Sequence, residues 1–134
     1  MKDGTTLLAY KPEHAVDLDT GAVVAAELHP ADEGDPTTLS KTLAAAEANL
    51  EAVDTAPTAV DPAECVADKG YHSRAVLKAL DNSPWKTRIS EPKQNGFSRW
   101  RGDEAARRAV TNNRVHLKSG VAREAFKLRA EIVE

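Results

Sequence analysis

Two carboxylates, Asp68 and Glu134, have the residue type and local pattern that metal-dependent chemistry requires. Asp68 follows a short apolar run, residues 65–67, and precedes Gly70, which predicts a buried strand that ends in a turn. Ligands and metals bind at the carboxyl edge of strands in open α/β sheets. Mg²⁺ prefers carboxylate oxygens, and two such ions about 4 Å apart assist phosphodiester cleavage. We therefore predict Asp68, from a sheet, and Glu134, from a flanking helix, as metal ligands and catalytic residues.

Each carboxylate also has a simpler interpretation. Asp68 suits an Asx turn that closes a strand, or a charge neutralised by Lys69, and Glu134 suits a solvent-facing helix position. Competing sites are not visible in the sequence. The four histidines are scattered and Cys65 is the single cysteine, which argues against a zinc site. The sequence also has no phosphate-binding Gly-x-x-x-x-Gly-Lys loop and no Gly-x-Ser-x-Gly nucleophile motif.

A glycine-containing basic loop at residues 93–102 is a second candidate site. Cations neutralise phosphates and aromatic rings stack on exposed bases. The candidate DNA-binding residues are therefore Lys93, Arg99, Trp100 and Arg101. The alternative is a solvated loop whose Trp100 folds back onto the sheet, and the sequence does not decide between the two.

Charge is divided unevenly along the chain. Residues 1–68 hold 3 Lys/Arg and 14 Asp/Glu, a net −11, whereas residues 69–134 hold 15 and 7, a net +8. Such asymmetry suggests a polyanionic partner for the basic half, although a solvated helix face with mixed charges is the alternative.

Length and composition are those of one compact domain, with 134 residues and 41% hydrophobic content. No apolar run approaches the roughly 20 residues that span a bilayer, and the N-terminus shows no secretory signal. A single cysteine fits a reducing compartment, with Cys65 as a small core residue. We therefore expect a cytoplasmic protein without a membrane partner.

The order of predicted elements is that of a mixed α/β sheet flanked by helices. In the first strand, Tyr10, His14 and Val16 share one parity, and Gly21 closes the turn of a hairpin. The predicted elements are a hairpin at 7–28, a helix at 36–53, a strand at 64–68, a helix at 73–81, a strand at 85–90, the basic loop at 93–102, and helices over 103–134 with a break at 119–120.

Helix ends and buried stripes are also predicted. Asp35 and Pro36 suit the N-cap and first position of one helix, Ser73 suits the N-cap of the next, and Asn82 suits a left-handed C-cap. The buried stripes follow helical spacing: Leu39, Leu43, Ala46 and Leu50; then Val76, Leu77 and Leu80; then Ala125, Leu128 and Ile132.

Three segments together resemble the catalytic domain of bacterial insertion-sequence transposases of the DDE type. They are LAYKPEHAVDLDTGAVV at residues 8–24, VADKGYHS at 66–73 and RAEIVE at 129–134. In this family an Ala-Asp-x-Gly-Tyr motif holds the second acid of the catalytic triad, which implies that role for Asp68. The third acid would be Glu134. In a subgroup signature of Tyr, Arg and acid, Phe126 stands in place of the Tyr, Arg129 matches, and the acid is one residue late.

The resemblance implies an RNase-H-like fold, Mg²⁺ or Mn²⁺ as cofactor, and DNA at element ends and targets as partner. The family's first acid lies on a strand upstream of the hairpin, and no residue here matches it. We therefore expect residues 1–134 to form an incomplete catalytic domain, truncated at both ends and inactive alone, that associates with itself or with an intact transposase. The alternatives are a non-catalytic remnant that binds DNA or a transposase, and a decayed gene product.

Overall fold

A computed structural model describes residues 10–93 and 99–133. Their elements, in chain order, are β1 (Tyr10–Val16), β2 (Val23–Pro30), α1 (Asp35–Glu51), β3 (Ala63–Ala67), a 3₁₀ turn (Lys69–Tyr71), α2 (Arg74–Asp81), β4 (Trp85–Ile89), α3 (Glu104–Leu117) and α4 (Gly120–Val133). The order of helices and strands is the one the sequence predicts, with α3 and α4 separated at Ser119. No helix among the described residues is long and apolar enough to cross a membrane.

The hairpin pairs β1 and β2 antiparallel around a turn set by Asp17. Its carboxylate accepts from the Asp19 N–H at 3.1 Å and from the Thr20 hydroxyl at 2.9 Å, and Gly21 takes a φ of 75°. These contacts confirm the predicted Asp-Thr-Gly turn, because Asp hydrogen-bonds locally and Gly tolerates positive φ.

The inward face of β1 differs from the predicted one. Tyr10 and His14 are exposed, while Glu13, of the opposite parity, is buried. Side chains alternate across a strand, so a one-residue difference in parity exchanges the buried and exposed sets. Glu13 can occupy the inward face because hydroxyl groups of α1 donate to its carboxylate.

Two predicted caps also differ from the structure. The N-cap of α1 is Gly34, without a side-chain bond, and Asp35 is already helical. The Asp35 carboxylate is held instead by the Lys11 ammonium at 2.7 Å. Asn82 ends α2 at a φ of −103°, outside the left-handed region. The predicted N-cap of α2, by contrast, is confirmed: the Ser73 hydroxyl accepts from the Val76 N–H at 3.0 Å.

The core lies between α1, α2, α3 and the pair β3–β4. The buried core residues are Leu39, Leu43, Cys65, Ala67, Val76, Leu77, Leu80, Ile89, Ala109 and Val110, with Cys65 buried as expected. All predicted members of α2 are among them. On α1, Leu39, Leu43 and Ala46 are buried as predicted, whereas Leu50 is only partly buried. On α4 the prediction holds only for Ala125, since Leu128 and Ile132 are 37% and 38% exposed.

The strands form two separate two-stranded sheets rather than one mixed sheet: β1–β2 is antiparallel and β3–β4 is parallel. A cavity of about 470 Å³ lies between them, lined by residues of β1, β3 and α1. No strand among the described residues fills this space, and the two pairs do not join.

The two edges of the β3–β4 pair differ. Ser90 N donates to Ala67 O at 3.1 Å, so the alternating backbone groups of Glu64 and Val66 face the other edge of β3, on the cavity side. The outer edge of β4 is covered by α3, because the Asn113 amide pairs with both the N–H and the C=O of Ile89 at 3.0 and 2.9 Å. At the other edge of this pair, no hydrogen bond reaches the backbone of Glu64 or Val66 from any of residues 10–93 and 99–133.

Candidate active site at the end of strand β3

Asp68 lies directly after β3, at the carboxyl end of the parallel pair, as the sequence predicts. Its backbone is extended, and its Oδ1 accepts from the Gly70 N–H at 2.9 Å. The Asx turn that the sequence left as an alternative is therefore present. The side chain is nevertheless 54% exposed, so the turn orients the carboxylate without covering it.

The cation that approaches Asp68 comes from α4. Arg129 Nη2 lies 3.7 Å from Asp68 Oδ2, and the Arg129 side chain is only 20% exposed. Lys69, the neighbour that the sequence offered as a counter-ion, forms no ion pair with Asp68 in the described part of the chain. The structure thus brings the C-terminal helix to the strand end through Arg129.

A second carboxylate, Asp35, faces the same turn and was missed as a site residue. A Cβ atom on Gly70 would lie 3.0 Å from Asp35 Oδ2 and 3.1 Å from Asp68 Oδ1, so both carboxylates border the space above Gly70. The acid directly before Pro36 indicated a helix cap, and nothing in the sequence indicated its proximity to Asp68. A side chain at position 70 would therefore crowd both carboxylates and shift at least one of them.

Tyr71 connects this turn to the hairpin and was also missed. Its hydroxyl donates to Glu13 Oε2 at 3.3 Å. Burial, followed by the negative charges of Glu13 and Asp35, raises the pKa of the Tyr71 phenol, so it stays a hydrogen-bond donor. The sequence offers little signal for Glu13, which lies between Pro12 and His14 on β1, because acids are almost never fully buried unless they are paired.

The donor set fits a divalent cation only in part. Asp68 offers an exposed oxygen ligand of the type Mg²⁺ prefers. Within residues 10–93 and 99–133, however, no group of three or more His, Cys, Asp or Glu side chains is arranged to hold a metal ion. Glu134, the second predicted ligand, lies outside the described residues. The described residues therefore offer one exposed carboxylate and not a complete set of metal ligands.

The basic loop begins at the same edge of the sheet, because Ser90, just after β4, lies beside Ala67. Of the predicted DNA-binding residues, Lys93, Arg99 and Arg101 are exposed, and none forms an ion pair with another described residue. Residues 94–98, including Phe97, lie outside the described residues.

Trp100 is half-buried and packs against the core, as the alternative interpretation of the loop expects. The Arg74 guanidinium lies 4.3 Å from the centre of the Trp100 ring and donates to Arg99 O at 2.7 Å. Arg74, which the sequence did not single out, thus ties the end of the loop to the start of α2.

Comparison with known proteins identifies the family but does not bear on individual site residues. No curated protein and no solved structure shows significant similarity to the chain. A family described as "Transposase DDE domain" matches residues 2–131, which is nearly the whole chain and includes the strand that ends at Asp68. The chain belongs to the family of transposases with a DDE catalytic domain.

Proposed function

We propose that this chain forms part of the catalytic domain of a DNA transposase, which cuts DNA strands with the help of divalent cations and joins the resulting 3′-hydroxyl to target DNA. Asp68 and Glu134 are the metal ligands and catalytic acids in this proposal. The single observation that supports it best is the exposed, oriented carboxylate of Asp68 at the carboxyl end of β3, next to the basic loop.

When bound, Mg²⁺ or Mn²⁺ would supply Lewis-acid stabilisation and an activated oxygen nucleophile. The chain's own residues prepare for this in two ways. The Gly70 N–H holds Asp68 Oδ1, which fixes the carboxylate plane, and Arg129 stands near Oδ2 at 3.7 Å. That separation is too long for a strong hydrogen bond, so Oδ2 keeps capacity for another partner.

The remaining acid of a three-acid site would come from a strand between the two sheets. The cavity there borders the uncovered edge of β3, which offers the backbone groups of Glu64 and Val66. A strand paired parallel to β3 would end beside Asp68. This fits the family resemblance, in which the first acid lies on a central strand. Without that acid, we expect the chain alone to cleave no DNA.

Lys93, Arg99 and Arg101 are proposed to contact DNA phosphates, with Trp100 and Arg74 as the supporting platform. To test this, binding of the chain to a duplex oligonucleotide is measured by gel shift at increasing KCl. Replacing Arg99 and Arg101 together by Ala should weaken binding and lower the slope of log affinity against log salt by about 2, since each phosphate contact contributes about 0.9.

The matched control is Lys41→Ala, which removes an exposed cation from α1 in the acidic half and should change neither affinity nor slope. If binding is absent, or does not depend on salt, the DNA interface is wrong. Cleavage of labelled duplex in Mg²⁺ separates catalysis from binding. If the chain cuts DNA and Asp68→Ala cuts equally well, the catalytic assignment fails. If the chain binds DNA but cuts none even when the missing strand with its acid is supplied, the result supports the non-catalytic remnant.

A further inference from the structure

The side chain of Glu13 is a buried carboxylate, only 6% exposed, in the middle of β1. A carboxylate removed from water is costly unless donors surround it. Three hydroxyl groups do so here. Thr38 donates to Oε2 at 2.7 Å, Thr42 donates to Oε1, and Tyr71 donates to Oε2 at 3.3 Å.

His29 of β2 extends this network. Its Nε2 lies 3.1 Å from the Thr42 hydroxyl and 3.7 Å from Glu13 Oε1. Because the single hydroxyl hydrogen of Thr42 is used on Glu13, the Thr42 oxygen must accept from His29, so Nε2 carries a hydrogen. Glu13 therefore joins β1, β2 and α1 into one hydrogen-bonded unit, which we call the hairpin unit.

Tyr71 is the member of the network that lies outside this unit. It ends the 3₁₀ turn that Asp68 begins, and its own N–H donates to Asp68 O at 3.1 Å. The contact from Tyr71 to Glu13 thus runs from the hairpin to the turn that orients Asp68. It therefore links the part of the chain that contains the β1–β2 sheet to the part that contains the β3–β4 sheet.

We propose that Glu13 and Tyr71 are positioning residues: through their hydrogen bond, the hairpin unit fixes the turn in which Gly70 N–H orients the Asp68 carboxylate. The importance of this positioning rests on the proposed function of Asp68. The physical claim itself concerns the turn, and it holds or fails independently of metal or DNA.

The test is amide hydrogen exchange at Gly70, whose N–H reports directly on its bond to Asp68. Tyr71→Phe removes only the hydroxyl group, and it should speed exchange at Gly70 about tenfold, the usual effect of losing a hydrogen bond to a charged group. Exchange at Ser90, whose N–H bonds to Ala67 O at the end of the same strand, should stay the same.

Tyr10→Phe is the matched control. It makes the same chemical change on β1, at a residue that is 61% exposed. Glu13→Gln keeps an acceptor oxygen for Tyr71 and should give a smaller increase at Gly70 than Tyr71→Phe. If Gly70 is unchanged in Tyr71→Phe, or if Gly70 and Ser90 accelerate together, the positioning role is refuted. If Gly70 alone responds but Asp68 binds no metal, the positioning role stands and the proposed function fails.

Discussion

Asp68 and Cys65 lie three residues apart, and their surroundings give them opposite chemical properties. Asp68 is half-exposed beyond the strand end, whereas Cys65 points into the core and burial raises the pKa of its thiol to about 12. A buried thiol with such a pKa carries almost no thiolate at neutral pH, so it is unsuited to act as a nucleophile or metal ligand. Of these two side chains, only the Asp68 carboxylate is accessible to a ligand.

Glu91, just after β4, shows how one charged pair contributes to stability. Arg114 of α3 donates to both of its oxygens, at 2.7 and 2.6 Å. This bonding lowers the pKa of Glu91 from its ordinary value of 4.5 and raises that of Arg114. Because the pKa of Glu91 is lower in the folded chain, the pair stabilises the fold above about pH 4.5, and the contribution is lost as pH falls further.

We predict that Glu91→Gln lowers the free energy of unfolding by about 1 kcal/mol at pH 7, since the pair is bidentate but partly exposed. The difference from the unmodified chain should shrink at pH 3. Urea unfolding at the two pH values measures this. Glu104→Gln is the control, because Glu104 is 75% exposed and its nearest cation is 3.9 Å away. A difference that grows as pH falls would contradict the assignment.

At the scale of elements, local signals in the sequence were sufficient where they act within one helix or turn. Ser73 predicted the start of α2, and the spacing of Leu39, Leu43 and Ala46 predicted the buried face of α1. Each depends on hydrogen bonds or periodicity over a few residues. The prediction of Asp35 as an N-cap was wrong, because its carboxylate accepts a hydrogen bond from Lys11, 24 residues away. Such long-range contacts leave no local pattern in the sequence.

The covering of β4 by α3 is another long-range contact. Asn113 is fully buried, and both polar ends of its amide pair with the backbone of Ile89. An uncovered edge invites pairing with other chains, so this contact also protects the sheet. The sequence predicted α3 and β4 but gave no reason to connect an asparagine of one with the edge of the other.

We predict that Asn113→Leu, which keeps the approximate volume, lowers the free energy of unfolding by about 2–4 kcal/mol, because it leaves a buried N–H and a buried C=O unpaired. Asn112→Leu is the control and should cost less, about 1–2 kcal/mol, since it removes one bond to the Asp81 carboxylate, which keeps its contact with Arg108. Thermal or urea unfolding checks both. Equal effects of the two substitutions would show that Asn113 does not secure the β4 edge.

At the scale of the whole molecule, the sequence predicted the order of the elements and a mixed α/β class but not the division into two sheets. Whether two strands belong to one sheet depends on what lies between them, and here a cavity separates β1 from β3. The burial of Glu13 was equally out of reach. Its three hydroxyl donors come from α1 and from the turn after β3, 25 or more residues away.

The proposed role of Asp68 as a metal ligand is tested most directly by locating the residues at which a divalent cation binds. In a titration of isotopically labelled chain with Mn²⁺, paramagnetic broadening should appear first at the amides around Asp68 and Gly70, and Asp68→Asn should abolish it. Asp61→Asn is the matched control, because Asp61 lies before the opposite end of β3, a strand of 5 residues. At about 3.3 Å per residue the strand itself spans roughly 15 Å. If the broadening survives in Asp68→Asn, or if it centres on Asp61, Asp68 is not the metal ligand.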